Sequence, residues 1–386
     1  MKLKTKLTKL GRNFKQNKGF VNPGIYKGST IIFENYKKYL AERDKTDSSN
    51  NLHYGIHNNP ICNEFEKALS TLYNAADTVT VPSGLTAVII PLLTFLKNGD
   101  HLLISDALYN PTREFCDKIL VEYGIEVEYF HPSIDINKFS LLIKNNTKVI
   151  FLESPGTATF EIIDIPKITK LAKKNNIITI ADNTWASIIF CNPLKLGVNI
   201  VAEAITKYIS GHSDILLGII VSDKKHAKKI REFTKTMGIC VGSEEVYLSL
   251  RGIPTLELRM KQIEKNNKLL AIELEKNKKI KKVYHPALNS HYNHKIWKRD
   301  FVGSAGLFSI ELNKFYSNKK IEKLFNKLKI FKLGYSFGGF ESLITFPVLK
   351  NRTKKYKIKG NIIRLYCGLE DQEDQKKDII EALKVL

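Results

Sequence analysis

The chain has no apolar run near the ~20 residues that a membrane-spanning helix needs. Its longest, Ala87 to Leu96, is interrupted by Pro91 and followed by Lys97, so no membrane partner is expected. Cysteine is scarce: Cys62, Cys116, Cys191, Cys240 and Cys367 are odd in number, widely spaced and form no CxxC pair. That excludes a disulfide scaffold and the usual zinc spacings, and it reads as reduced, mostly buried thiols in a cytoplasmic protein. The histidines are equally unpatterned; HYNH at His291 to His294 is a lone pair in a polar stretch, and no metal is expected. Internal repeats and low-complexity linkers are absent. The start, MKLKTKLTKLGRNFK, is basic and acid-free but lacks the apolar segment of a secretory signal, and reads as a surface arm.

Acids are the other shortage, 39 Asp and Glu against 61 Lys and Arg, a formal charge of +22. Such a field invites nucleic acid or an anionic surface. The lysines, however, are scattered among Asn and Ile, and no RNP, finger or helix-turn-helix pattern accompanies them, so no nucleic acid partner is expected. The densest clusters, EKNKKIKK near Lys278 and KNRTKKYKIK near Lys355, read as solvated faces. Attraction of small anionic substrates is a simpler use of the same charge.

Between about Ala76 and Asp223, short β-branched runs alternate with longer amphipathic stretches, the pattern of an α/β domain with a mostly parallel sheet. The strands predicted are DTVTV, HLLIS, VEYF, KVIFLES, IITIAD, VAEAIT and GIIVS. Five end in small or polar clusters: Ser83 and Gly84, Asp106 to Tyr109, Glu153 to Gly156, Asp182 to Trp185, and Thr206 to Asp214. Ligands of open α/β sheets gather at the carboxyl ends of strands, so these clusters should meet in one crevice. A helical pattern from about Pro254 to Lys276 then leads into KKVYHPAL, LFSIEL and NIIRLYCGL, which suit a smaller α/β domain. The expected division is an arm over 1–54, a large domain over 55–253 and a small domain over 254–386.

The chemistry starts from Lys207 in AITKYISGHSD, a lysine directly after an apolar strand. Alone it is a charge closing a strand; its company changes that. A carbonyl-binding amine must be held partly desolvated, with its ammonium form disfavoured. Pyridoxal phosphate also needs a carboxylate at its pyridine nitrogen, and Asp182 ends a strand where one could stand. Its phosphate suits the turn from strand to helix at SGLTA, Ser83 to Ala87. Tyr109 in DALYNP offers an aromatic face.

The order phosphate turn, aromatic, acid, lysine is joined by YGIHNNPICNEFEKAL, VPSGLTA, SDALYNPTREFC, FLESPGTATFEIIDIP, ADNTWAS, TKYISGHSD, RGIPTLELRM, WKRDFVGSAGLFS, SFGGFESL and IRLYCGLE. Together these resemble the Cys/Met-metabolism family of pyridoxal-phosphate enzymes, in order from about Leu7 to the C-terminus. The resemblance implies a type I aminotransferase-like fold, pyridoxal 5'-phosphate as cofactor, a sulfur amino acid as substrate, and homo-oligomers built as dimers of dimers. It implies Lys207 as the Schiff-base lysine, Asp182 at the ring nitrogen and Tyr109 stacked on the ring. Ser83, Gly84, Leu85, Thr184 and Thr206 would serve the cofactor, with Tyr54 reaching it from a neighbouring subunit. Arg364 would take the substrate α-carboxylate, and Tyr335 and Ser336 would line the pocket.

Thr157 and Ala158 stand where many members carry an Asn-Pro pair, a likeness to the family's β-lyases. That implies β-elimination, with L-cystathionine giving homocysteine, pyruvate and ammonia for methionine biosynthesis. The alternative is a γ-synthase, γ-lyase or cysteine desulfhydrase of the same family. Three positions depart from the pattern. Ile56 replaces a phosphate-binding arginine two residues after Tyr54, leaving His57 or another base to substitute. Ala204 replaces a phosphate-binding serine, and Asn199 an Asp or Gln.

Overall fold

The structure, a computed structural model, describes residues 1–13, 15–44, 52–56, 59–347, 349, 352 and 358–386. His57 and most of the lysine cluster around Lys355 lie outside the described residues.

Helix α1 (Leu3–Lys9) opens the chain, followed by α2 (Tyr36–Arg43) and α3 (Pro60–Tyr73). The arm is a surface element only in part. Leu7 is fully buried, and Arg12 Nη2 donates to Leu250 O at 3.0 Å, so its first turns dock on the chain's own core. Farther on, Phe20, Val21, Ile32 and Tyr36 are exposed. In α3, Asn59 caps the first turn by accepting from Cys62 N, and Asn74 ends the helix in the left-handed region at φ +55°.

Seven strands form the large sheet: β1 (Asp77–Val81), β2 (His101–Ser105), β3 (Glu126–Phe130), β4 (Thr147–Glu153), β5 (Ile178–Asp182), β6 (Ile200–Ala204) and β7 (Gly218–Ser222). Their order is β1-β7-β6-β5-β4-β2-β3. The run from β6 to β3 is parallel throughout, as the alternating pattern predicts. Parallel strands covered on both faces need continuous apolar runs, and Val149, Ile150, Phe151 and Leu152 are all fully buried. Each such side chain stabilises the fold by about 1.5–3 kcal/mol relative to exposure. The strand that departs is β7, antiparallel to both β1 and β6. Residues 205–217 carry the chain from β6 to β7 without a crossover helix, and only an antiparallel return is then open to it.

Helix α4 (Gly84–Phe95) follows β1 and covers β6 and β7. Its start is tightly specified. Ser83 accepts from Thr86 N at 3.1 Å, and a Cβ on Gly84 would lie 2.4 Å from the Ala204 Cβ, so only glycine lets the helix approach β6 this closely.

The helix expected from about 254 to 276 runs Leu256–Glu275 and buries Leu256, Met260, Ile263, Leu270 and Leu274 at helical spacing. It backs a second sheet of β8 (Ile280–Tyr284), β9 (Leu307–Leu312), β10 (Lys332–Leu333), β11 (Leu343–Thr345) and β12 (Ile362–Tyr366), ordered β10-β11-β12-β9-β8. Trp185 Nε1 donates to Leu307 O at 3.0 Å and ties the two sheets together beside the crevice. Among the described residues no helix is long and apolar enough to cross a membrane.

Candidate active site

All five strand-end clusters open into one cavity of about 470 Å³, a volume ordinary for small-molecule sites. Ser83, Gly84, Leu85, Tyr109, Asp182, Thr184, Thr206, Lys207, Tyr335, Ser336 and Arg364 all line it. Tyr54 does not. It pairs with Thr30 in an isolated bridge and is exposed.

Lys207 follows β6 and points its amine at Ser336, with Oγ 2.5 Å from Nζ. Burial pushes its pKa down to about 8; the Arg364 charge adds to the fall and Asp182 opposes it. A lysine so placed is partly neutral near neutral pH, the state a nucleophilic or basic amine requires. Asp182, at the end of β5, accepts from Thr184 N at 2.8 Å, and Thr184 Oγ1 in turn accepts from Ala204 N at 2.9 Å. Burial raises the Asp182 carboxyl, while Thr184 and the Lys207 charge hold it down. Thr184 therefore braces the acid. The hydroxyl of Thr206 is engaged with Leu217, donating to its O at 3.2 Å and accepting from its N at 3.0 Å.

Arg364 projects from β12 and donates to Ser336 O at 3.4 Å; among the described residues it has no carboxylate partner. Burial lowers its pKa, with Tyr109 and Tyr335 pulling the other way. A partly desolvated guanidinium without an acid is costly unless an anion joins it. The other two arginines at the cavity are already paired. Arg113 holds Asp106 at 2.6 Å, and Arg352 reaches from the small domain to Glu161 at 3.2 Å and to Thr157 O.

Glu153 was legible as part of a strand-end cluster, but its role was not. Its Oε2 accepts from Tyr109 N at 2.7 Å, and Thr157 Oγ1 lies 2.5 Å from its Oε1. Burial pushes its pKa up to about 8, with Asp182 the next cause. An acid closing the buried apolar run Val149 to Leu152 is the signal that could have marked it. Arg352 carried no such signal, because it lies far along the chain in a lysine-rich stretch.

Of the departures, Asn199 proves structural: its Oδ1 accepts from Thr179 N and Oγ1, both at 2.9 Å, and its Nδ2 donates to Asp223. Ala204 faces Gly84 at the helix start. Ile56 lies beside a separate small cavity shared with Cys62, Arg231, Lys235 and Cys240. Four cysteines are buried, Cys240 is exposed, and all five are free. At the opposite end of the sheet His101, Glu126 and Glu128 cluster, and Lys144 Nζ lies 2.6 Å from both carboxylates.

The cavity fits pyridoxal phosphate: backbone N–H groups at the start of α4 for the phosphate, an acid for the ring nitrogen, and a partly desolvated amine line the same space. A family profile described as Cys/Met metabolism PLP-dependent enzyme matches residues 4–384. The chain is 38% identical to a protein of Wolbachia pipientis named L-alanine/L-glutamate racemase, covering 99% of this chain and 97% of that one. It is 34% identical to the cystathionine β-lyase of Escherichia coli K12, covering 98% and 97%. Its fold superposes on the crystal structure of metB from Corynebacterium glutamicum with a TM-score of 0.90 at 26% identity, covering 100% of this chain and 98% of that one.

Proposed function

The chain belongs to the Cys/Met-metabolism family of pyridoxal-phosphate-dependent enzymes, and from that premise we propose that it is a carbon–sulfur β-lyase converting L-cystathionine and water to homocysteine, pyruvate and ammonia. The observation that carries this reading is Arg364, a half-buried guanidinium with no acid among the described residues, set in one cavity with Lys207 and Asp182. The cystathionine β-lyase name of a relative matched over nearly its full length supports the substrate.

Gly84 and Leu85 would hold the phosphate through backbone N–H groups, and Asp182 would stand at the ring nitrogen. Lys207 would hold the cofactor covalently through Nζ, and the exposed ring of Tyr109 would cover the cofactor ring. Pyridoxal phosphate, when bound, supplies an electron sink that stabilises negative charge at Cα and so lets a thiolate leave from Cβ. Arg364 orients the substrate by taking its α-carboxylate in a bidentate grip. Lys207 Nζ is the group that moves the Cα proton. Burial, with the Asp182 charge adding to it, raises the Tyr109 hydroxyl, so at neutral pH it keeps its proton. Tyr335 and Phe346 form an open rim on the small-domain side, with room for the second half of a thioether.

The exposed Tyr54 supports a working unit of at least a dimer, with the family's dimer of dimers as the full assembly. Free, mostly buried thiols support a cytoplasmic site of action in methionine biosynthesis. A second reading, amino-acid racemisation, is favoured by the Wolbachia relative. Incubation with L-cystathionine and with L-alanine separates them: pyruvate with homocysteine supports the lyase, α-ketobutyrate points to γ-cleavage, and D-alanine without pyruvate points to the racemase.

A further inference from the structure

We propose that Glu153 is a positioning residue that fixes the backbone of Tyr109 and does so as a neutral acid, leaving Asp182 the charged member of the pair. This rests on the cofactor reading above and extends it to a residue outside the cofactor contacts. Glu153 and Asp182 are register partners at the ends of adjacent parallel strands β4 and β5, so their side chains emerge side by side on one face. Both line the cavity, Glu153 buried and Asp182 half-buried. Two like charges side by side oppose one another's ionisation, which favours a shared arrangement with a proton on one of the two.

Burial decides which: each acid has a backbone N–H, a hydroxyl and a nearby cation on its side, but Glu153 is buried whereas Asp182 is only half-buried at the cavity wall. Asp182 has the backbone N–H and the hydroxyl of Thr184 together with the Lys207 charge on its side. Glu153 is faced by Asp182 from β5, by Tyr109 N from the loop after β2, by Thr157 from its own loop and by Arg352 from the small domain. Even with those partners its carboxyl is raised to about 8. The contacts also accommodate a protonated Glu153: Oε2 accepts from Tyr109 N, and the Thr157 hydroxyl, which donates to Oε1, can turn to accept the proton of a neutral acid across the same 2.5 Å. Were Glu153 charged instead, a second negative charge beside Asp182 would compete for the cationic ring nitrogen that Asp182 is there to support.

Glutamine reproduces the protonated acid atom for atom, with a carbonyl for Tyr109 N and an amide N–H for Thr157. Aspartate keeps the acid but is one methylene too short, and alanine removes both bonds. The test compares Glu153→Gln, Glu153→Asp and Glu153→Ala in three readouts: pyridoxal-phosphate affinity by titration of the apoprotein at pH 7 and pH 9, the visible absorbance of the bound cofactor, and kcat against KM with cystathionine. Asp and Ala should each weaken cofactor binding and kcat by about tenfold or more at pH 7, while Gln stays within about threefold of wild type. Wild type should lose affinity between pH 7 and 9, and Gln should lose less. Lys207 titrates in both proteins, so the difference between them isolates Glu153. If Gln is as impaired as Ala at pH 7, the charged form is the working one and the proposal fails. If Ala matches wild type, Glu153 positions nothing; if Ala does not fold, Gln against Asp still decides. Wild-type protein that binds no pyridoxal phosphate overturns the cofactor reading and this inference together, whereas normal wild-type binding with an impaired Gln variant overturns this inference alone.

Discussion

Ser336 Oγ lies 2.5 Å from Lys207 Nζ, and this contact joins the small-domain rim to the end of β6. The approach is forced by the backbone. Ser336 has φ +89°, and Gly338 at φ +91° passes so close that a Cβ there would lie 2.5 Å from the Lys207 carbonyl carbon.

Lys207→Ala should abolish both the visible absorbance of the bound cofactor and turnover, and full activity in that variant would end the present assignment. A stability effect of opposite sign is also expected in apoprotein. The folded pKa of about 8 lies below the ordinary lysine value near 10.4, so between those pH values the unfolded chain binds more protons. Keeping the amine buried therefore destabilises the fold below about pH 8, and the penalty disappears as pH rises past about 10. Lys207→Met should raise Tm at pH 7 and raise it less at pH 10, read by thermal melts at the two pH values.

Asp182→Asn keeps the shape and the contacts to Thr184 but removes the charge at the ring nitrogen. Turnover should fall by about two orders of magnitude or more while the melting curve changes little. Steady-state kinetics beside a thermal melt checks this; near-normal elimination by the variant would show that the carboxylate lies elsewhere.

Arg364→Ala should reduce kcat/KM for cystathionine by about 100-fold, because a bidentate, desolvated carboxylate contact is lost. Arg364→Lys should recover only part of it, since an ammonium cannot form the fork. The informative comparison is an amine substrate without the carboxylate. If wild type and Arg364→Ala treat such a substrate equally, the loss belongs to the carboxylate; if the variant is impaired there too, Arg364 supports the site in another way.

The strand ends were legible because burial on both faces forces continuous apolar runs, and DTVTV, HLLIS, GIIVS and LFSIEL match β1, β2, β7 and β9 residue for residue. The convergence of Ser83, Tyr109, Asp182 and Lys207 followed from parallel topology alone. What stayed hidden depends on partners far apart in the chain. The reversal of β7 turns on how residues 205–217 return, the buried Leu7 on a docking site formed by distant helices, and the hydroxyl of Thr206 on its capture by Leu217. Glu153 was in view, yet only register with Asp182 turns it from a loop acid into half of a carboxyl pair.

Ile56 presents the last test, because an apolar side chain stands where the family resemblance implies an arginine for a neighbouring subunit's phosphate. A charge-assisted bond of that kind contributes roughly 1.5–3 kcal/mol. Ile56→Arg should therefore tighten pyridoxal-phosphate binding by about tenfold or more, provided no other cation already serves. The structure names a competitor: Lys235, near the end of the helix Ala227–Thr236, lines the same small cavity as Ile56. If Lys235 meets the phosphate across the interface, an added arginine meets a satisfied group and a neighbouring like charge, and affinity should stay level or fall. Titrating apoprotein of wild type, Ile56→Arg, Lys235→Met and the double variant resolves the two. Tightening by Ile56→Arg alone, with Lys235→Met neutral, means that the loss at Ile56 is uncompensated. Weakening by Lys235→Met that Ile56→Arg restores means that the lysine has taken over the role.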